Sequence, residues 1–493
     1  TIVDVVDPLF EKESSSANAI NKTATIKFKV TDKYFKKSTL TKDNIKVFVN
    51  GTETTSGLTK TLATTDLKES NVKYGEEYTF TVTGFATNVN QVKIVIPQGV
   101  VTDNSGNGNK ETTFILYNTL KATYTGTYSE TNSESKTTAS FLGNTSIQRQ
   151  NIDNITFQNS IPADVGYDET TKKYKNSTAW DVSAIGDKSI LSWYTTNANG
   201  SLKVYIGSDS EIFANQISRD LFAYIGYSDK CTSTETITNI NLLNVASVTD
   251  MYRMFRYTGY KSMTKLDLGD NFDTSNVTNM SALFEGAGYT AMTTLNLGDK
   301  FNTSKVTNIS YMFSTCGYTK LESLDLLNKF DTSNVEHMRY TFYKLGYIAM
   351  KTLNLGTNFN TSNVINMEYM FAYTGYRAMT SLDLGKKFNT SKVTNMAYMF
   401  RDAGHDVMTT LKLGDNFDTS KVTTMEDMFY EAGQQSLTSL DLGTKFDTSN
   451  VTNMYEMFAG LGSLKMTTFN LGDKFDTSKV TNMNYMFHCM GYN

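Results

Sequence analysis

The 493-residue chain reads as a three-part protein: a β-sandwich, an α+β capping region, and a solenoid of 29-residue coils. Three observations predict this. Apolar and polar residues alternate with period 2 over the first quarter, an aperiodic stretch follows, and from Leu243 one motif returns without slippage. Its leading Phe falls at Phe272, Phe301, Phe330, Phe359, Phe388, Phe417, Phe446 and Phe475, always 29 residues apart. The chain is too long for one ordinary core, which agrees with several units. A balance of 46 basic and 50 acidic side chains leaves no electrostatic footprint for nucleic acid or an anionic membrane. No apolar run reaches the ~18 residues that a membrane helix needs, so the chain is not expected to span a bilayer. Three Cys exclude a disulfide framework and a Cys-built zinc site. No signal peptide opens the sequence, and Thr1 in place of Met points to a processed chain or a fragment.

Residues 1–118 carry the sandwich expectation. Ile26, Phe28 and Val30 alternate with Thr25, Lys27 and Lys29, and Ile45, Val47 and Val49 form a second alternating run. Asn50-Gly51 closes that run with a type I′ turn. Further strands are expected at Tyr78–Thr83, Val92–Ile96 and Thr112–Leu116. The stretch from Ile96 through Pro97, Gly99, Asp103 and Gly106 to Asn109 resembles the last hairpin of Ig-like modules of bacterial surface proteins, which implies an Ig-like domain. Asp103, Ser105, Asn107 and Asn109 alternate like oxygen ligands of a Ca²⁺ loop, but no acidic residue closes it. Gly and Asn clusters also serve hairpin turns, so calcium is the weaker reading and no other cofactor is expected.

Residues 119–242 lack periodicity and hold Trp180 and Trp193. Strands are expected at Ile155–Phe157, Ser189–Trp193 and Leu202–Ile206, with a short helix within Glu211–Ala223. Such an atypical unit before a repeat array covers the first apolar edge of the array.

Residues 243–493 comprise a degenerate first unit at Leu243 and eight 29-residue-spaced units, the last of them truncated. In the unit from Met379 to Gly404, Leu382 and Leu384 point inward from a strand, and Ser381 and Asp383 point out along a concave sheet. Val393, Met396, Met399 and Phe400 then step by three and four, which predicts a helical or 3₁₀ segment capped by Ser391. Gly404 ends it, and the Tyr after this Gly in other units (Tyr289, Tyr318, Tyr347, Tyr376) should touch the Phe of the last turn. Asn279, Asn308, Asn366, Asn395, Asn453 and Asn482 form an internal ladder, which also accounts for the recurring Asn-x-Ser/Thr triplets. The 22 Met fall almost entirely into repeat columns, such as Met280, Met338 and Met367, and read as core filler.

This leucine spacing is the signature of a leucine-rich-repeat solenoid. The segments Asn276-Val277-Thr278-Asn279-Met280, Phe284, and Met292-Thr293-Thr294-Leu295-Asn296-Leu297 resemble the BspA-like leucine-rich-repeat family of bacterial surface proteins. The preceding Asp181-Val182-Ser183, Tyr205-Ile206-Gly207 and Ile212-Phe213-Ala214-Asn215 resemble its leading region. The resemblance implies an extracellular, cell-wall-associated or secreted adhesion protein that binds host proteins, glycans or neighbouring cells. It carries over no catalytic residues.

Two exposed columns are candidate ligand sites. One is concave: Asp267, Asn296, Asp325, Asn354, Asp383, Lys412, Asp441 and Asn470, against the plainer reading that an open sheet face needs small polar residues. The other is convex: Tyr311, Tyr340, Tyr369, Tyr398 and Tyr485, against lateral packing on neighbouring coils. Asp427 and Glu456 interrupt it. His337, His405 and His488 are single replacements within columns. No glycine phosphate loop, H-E-x-x-H or G-x-S-x-G is present, so no enzyme is expected. The alternative to adhesion is a structural spacer or self-association element. Tyr492 and Asn493 stop the last unit before its strand, which would leave an open solenoid edge for a continuation or a partner.

Overall fold

The alternating runs of the first quarter become two packed sheets in the computed structural model, which describes residues 5–86, 89–122, 140–327 and 329–491. Ten strands are formed: β1 (Leu9–Asn18), β2 (Thr23–Thr31), β3 (Phe35–Ser38), β4 (Lys46–Val49), β5 (Thr52–Glu53), β6 (Thr59–Glu69), β7 (Val72–Thr83), β8 (Gln91–Ile96), β9 (Val101–Asp103) and β10 (Thr112–Asn118). They make one antiparallel sheet ordered β1-β2-β7-β6 and another ordered β10-β8-β4-β5, with β3 paired to β9. Ile26, Phe28, Val30 and Phe80 of the first sheet share a core with Val47, Val92 and Ile94 of the second. Asn50 and Gly51 both take positive φ, 49° and 83°, as the tight hairpin between β4 and β5 requires.

The next region builds a five-stranded mixed sheet, in the order Trp180–Asp181, Leu191–Thr196, Leu202–Gly207, Ile152–Gln158 and Ile237–Thr238. The α+β expectation is corrected here. Among the described residues the only helical pieces are 3₁₀ turns at Arg149–Asn151 and Ile240–Leu242. The helix expected within Glu211–Ala223 is instead a leading solenoid coil. Ile212–Phe213 pairs in parallel with Leu243–Asn244, and the amides of Ser218, Asp220, Phe222 and Tyr224 donate to carbonyls of Asp250, Tyr252, Met254 and Arg256. Amides committed to a neighbouring coil cannot close a helix. Phe213 also reaches the sandwich core, its ring 4.5 Å from that of Tyr117.

The same bonding runs through the solenoid and overturns the expected helical segment there. From Met280 to Gly286, the amides of residues 280, 282, 284 and 286 donate to carbonyls of residues 308, 310, 312 and 314 on the next coil. Those of residues 283, 285 and 287 donate three residues back within their own coil. The result is a string of overlapping turns, each tied to its neighbour coil. The left-handed positions enforce it: Ala282 (φ 54°), Gly286 (65°) and Gly288 (55°) recur in register in every coil. At Gly286 a Cβ would stand 2.1 Å from the Tyr257 ring, so only glycine lets that ring cross the coil.

The strand side consists of three-residue strands such as Ser381–Asp383 and Thr410–Lys412, in parallel register 29 residues apart. They pair two by two, as four separate two-stranded ladders, where one continuous sheet was expected. Between strand and turn run lies Phe-(Asp/Asn)-Thr-Ser. Its Thr is buried, and its hydroxyl clasps the next coil. Thr361 Oγ1 donates to the Asn389 carbonyl and accepts the Asn389 amide, at 2.8 and 2.7 Å. The Asp or Asn before it accepts the amide two residues on, as Asn389 does from Ser391, so Ser391 is not a helix cap. Inside, the Met columns are core. Met280, Met338, Met367, Met396, Met425 and Met454 are fully buried, each contributing about 1.5–3 kcal/mol. In the last described coil Met483 is 43% exposed and Phe487 41%. Tyr492 and Asn493, on which the open-edge expectation rests, lie outside the described residues.

One buried cation closes the other end of the array. In regular coils the carbonyls of Leu283 and Glu285 accept amides of Phe255 and Tyr257 from the preceding coil. Their counterparts in the leading coil, Leu221 and Ala223, accept the Arg149 guanidinium instead, at 3.1 and 3.3 Å. Burial lowers the Arg149 pKa to about 10. We predict that Arg149→Met, which orphans both carbonyls, lowers stability by about 3 kcal/mol in urea unfolding. Thr361→Val should cost about 2 kcal/mol, whereas Ser362→Ala should leave the midpoint unchanged.

Candidate functional site

The convex Tyr column sits at the first left-handed position of each coil. Tyr311, Tyr340, Tyr369, Tyr398 and Tyr485 have φ between 55° and 61°. A bulky residue there costs about 1–2 kcal/mol. Stacking offsets part of it. Tyr311 lies on Tyr340 at 4.6 Å, Tyr340 on Tyr369 at 4.5 Å and Tyr369 on Tyr398 at 4.2 Å, with planes within 14°. Each ring pair contributes about 0.5–1.5 kcal/mol, so the pairs of this stack offset a part of the backbone cost of its rings. The four rings are half-buried, and the Tyr398 hydroxyl donates to Glu426. Tyr485 stands apart beyond Asp427 and Glu456, 60% exposed.

A second row was missed in the sequence. The Tyr after each Gly does not fold back on the Phe of its own turn. Tyr260, Tyr289, Tyr318, Tyr347, Tyr376 and His405 stack on one another at 4.4–4.8 Å. The Phe residues make their own buried stack, for example Phe284 on Phe313 at 5.6 Å. Tyr343 and Tyr373 bridge the two Tyr rows: Tyr343 lies edge to face with Tyr340 at 5.3 Å and with Tyr373 at 5.8 Å, and Tyr373 lies tilted by 33° against Tyr347 at 6.4 Å. The outcome is one continuous aromatic plate across several coils. Cations edge it, Lys344 about 5 Å from both Tyr343 and Tyr373, and Arg339 5.5 Å from Tyr340. Burial, with neighbouring phenols and carboxylates, raises the pKa of Tyr289 and Tyr376 to about 12 and that of Tyr340 further. The plate therefore presents protonated hydroxyls at neutral pH.

The other column lies on the strand face, exposed except for the half-buried Asp267. Its residues have a local task. Asp267, Asn296, Asp325, Asn354, Asp383, Asp441 and Asn470 each accept the amide two residues on, at 2.8–3.1 Å, and so shape the turn after the strand. Lys412 departs from this and lies 3.6 Å from the Asp383 carboxylate. Lys412, Asp441 and Asn470 line an open hollow of about 730 Å³.

In the N-terminal hairpin, Asp103 accepts the amides of Ser105 and Asn107 and the Asn107 side chain. Asn109 accepts the Val101 amide. These oxygens face N–H donors rather than converging on one point. The Asn column is half-buried rather than internal, its backbones bridged in parallel from Asp250 to Asn482. Their side-chain oxygens serve their own coils, as Asn308 does by accepting the Ser310 amide, while the Asn279 and Asn453 side-chain amides donate across to Asp250 and Glu426 of the preceding coil. His337 is an exposed member of that column, and Cys316 is buried with its thiol pushed well up.

His405 is the surprise. Besides stacking on Tyr376, its Nδ1 lies 2.7 Å from Asp406 and its Nε2 3.5 Å from Glu431. Asp402, His405 and Glu431 offer ligand atoms all within 4.8 Å, the metal-ligand type of cluster among the described residues. Only the fold joins them, since Asp402 and Glu431 occupy one left-handed column on adjacent coils. Burial, reinforced by Glu431, raises the Asp402 pKa to about 6. Burial opposes the His405 charge, but hydrogen bonds to Glu431 and Asp406 outweigh it and raise its pKa. Both groups hold protons more tightly when folded, so their stabilisation is complete below about pH 4 and is lost as pH rises through about 6 and beyond. Glu431, held low by His405, acts in the opposite sense at lower pH. Asp402→Asn, which still tolerates positive φ, should raise stability at pH 7.5 by on the order of 1 kcal/mol. That gain should vanish near pH 4, as read from urea midpoints across pH.

Comparison with known proteins agrees with the repeat architecture. One family profile, described as "Mycoplasma protein of unknown function, DUF285", matches four overlapping stretches, residues 227–345, 258–375, 318–440 and 405–492. No curated protein and no solved structure matches the chain. The matched stretches run through the coils that carry the aromatic plate and cover more than half of the sequence, and the chain belongs to the DUF285 family.

Proposed function

We propose that this protein is a non-catalytic, bacterial cell-surface or secreted adhesion protein of the BspA-like leucine-rich-repeat type. Its solenoid recognises a host or neighbouring-cell protein or glycan, and the aromatic plate is the contact surface. The single observation that carries this reading is the joining of two surface Tyr stacks through Tyr343 and Tyr373. Tyrosine combines an apolar face with a polar tip and has few side-chain rotations to lose on binding. Burial of the core does not require these rings, because the Phe and Met columns already fill it. The N-terminal unit reads as an Ig-like spacer, since β1-β2-β7-β6 against β10-β8-β4 follows the A-B-E-D and G-F-C strand order.

A structural role as spacer or self-association element is the second reading, favoured by the cross-coil amide bonding that repeats from coil to coil. Solid-phase capture on matrix proteins, mucins and glycans separates the two. The adhesion reading expects at least one immobilised partner to be bound, with capture lost in a Tyr340→Ser/Tyr369→Ser variant and retained when Asp383 and Asp441 become Lys. Loss in the Lys variant alone would move the site to the strand face. Absence of any capture, with concentration-dependent self-association in sedimentation, would replace adhesion by the structural role.

A further inference from the structure

The first Tyr stack ends abruptly. Tyr311 lies on Tyr340 with one face, but the next coil carries Ala282 at the equivalent position, and the coil beyond it Arg253. All three take positive φ, so the backbone path is unchanged and only a ring is missing. A hollow of about 410 Å³ lies at this place, with the buried Ala282 in its lining, within the ~300–1,000 Å³ usual for small-ligand sites. The free face of Tyr311 forms one wall.

The remaining walls are polar and planar. Asn279 and Asn308 stand side by side in their column, and Arg256 is forked onto Glu285 at 2.7 and 3.0 Å. The Asn308 carbonyl oxygen accepts the Ser310 amide, while its amide N–H₂ makes no hydrogen bond to described residues and can donate into the hollow. A phenol from a protein partner would satisfy the Tyr311 face but bring a single hydroxyl to several polar groups and desolvate the rest with C–H edges, which is costly. A pyranose ring meets both demands, its axial C–H face against Tyr311 and its equatorial hydroxyls toward Asn308, Arg256 and Glu285.

We propose that the vacant rung at Ala282 is a binding subsite for a single pyranose ring of a glycan. It deepens the adhesion reading and rests on the Tyr surface being a ligand surface. Ala282→Tyr is the decisive variant. It completes the stack with the residue that five other coils already hold at this position, so the fold is kept and the slot is filled.

Saturation-transfer NMR on the full chain would use methyl glucopyranoside, methyl galactopyranoside, N-acetylglucosamine and glucuronate as probes, with p-cresol as the aromatic control. At least one saccharide should bind, and Ala282→Tyr should weaken it about tenfold or more while the melting temperature holds or rises. Tyr369→Ser, three coils away, should leave the saccharide signal within about twofold, so loss of adhesion and loss of the slot are read separately. Three outcomes would overturn the proposal: no saccharide transfer, transfer unchanged by Ala282→Tyr, or binding of p-cresol alone in the slot.

Discussion

Everything in the solenoid hangs on where alternate amides point. In each turn run, every second N–H donates along the solenoid axis to the next coil, and those between close turns within the coil. A helix would spend all of them internally and leave each coil free to slide. Here sliding by one residue would exchange the two sets and orphan both. Register is therefore locked, and locked register brings like residues face to face. The Phe, Met, Tyr and Asn columns are consequences of this bonding, as is the ring spacing of about 4.2–5.7 Å that makes stacking favourable.

The lock also explains why the array needs an end-piece of a particular kind. A coil whose carbonyls await donors from a predecessor has no partner at the start. Arg149 supplies those donors from the 3₁₀ turn that leads into the five-stranded sheet, and Phe213 ties the same leading coil to the sandwich. The core of the capping region and that of the solenoid are continuous, from Leu120 and Phe157 through to Met486.

Much of this was legible in the sequence, and the failures share one cause. The period, the buried Met columns, the inward Leu382 and Leu384, and the alternating strands of the sandwich all follow from side-chain spacing. The backbone between them does not. Apolar steps of three and four at Val393, Met396, Met399 and Phe400 fit an α-helix and a string of overlapping turns equally well. What separates the two is positive φ at Tyr398 and Asp402, positions whose residue types do not announce it. Borrowing helix-end rules then misplaced the Tyr after each Gly, and treating Ser391 as a cap hid the buried Thr clasp beside it. The cluster at His405 was illegible for a related reason. Its members are 3 and 26 residues apart, and only cross-coil register joins them.

One feature of the Tyr rows bears on how such a surface changes over time. Each coil contributes one ring per row, and the coils are interchangeable 29-residue blocks. Duplication or loss of a block would lengthen or shorten the plate by one rung without disturbing the rest, so the number of rungs follows the number of coils. Substitution at a rung does the opposite: Ala282 ends the first Tyr stack, and Asp427 and Glu456 part Tyr485 from it, with the count of coils unchanged. Reach and segmentation are thus inherited separately, one through recombination between repeats and the other through point mutation.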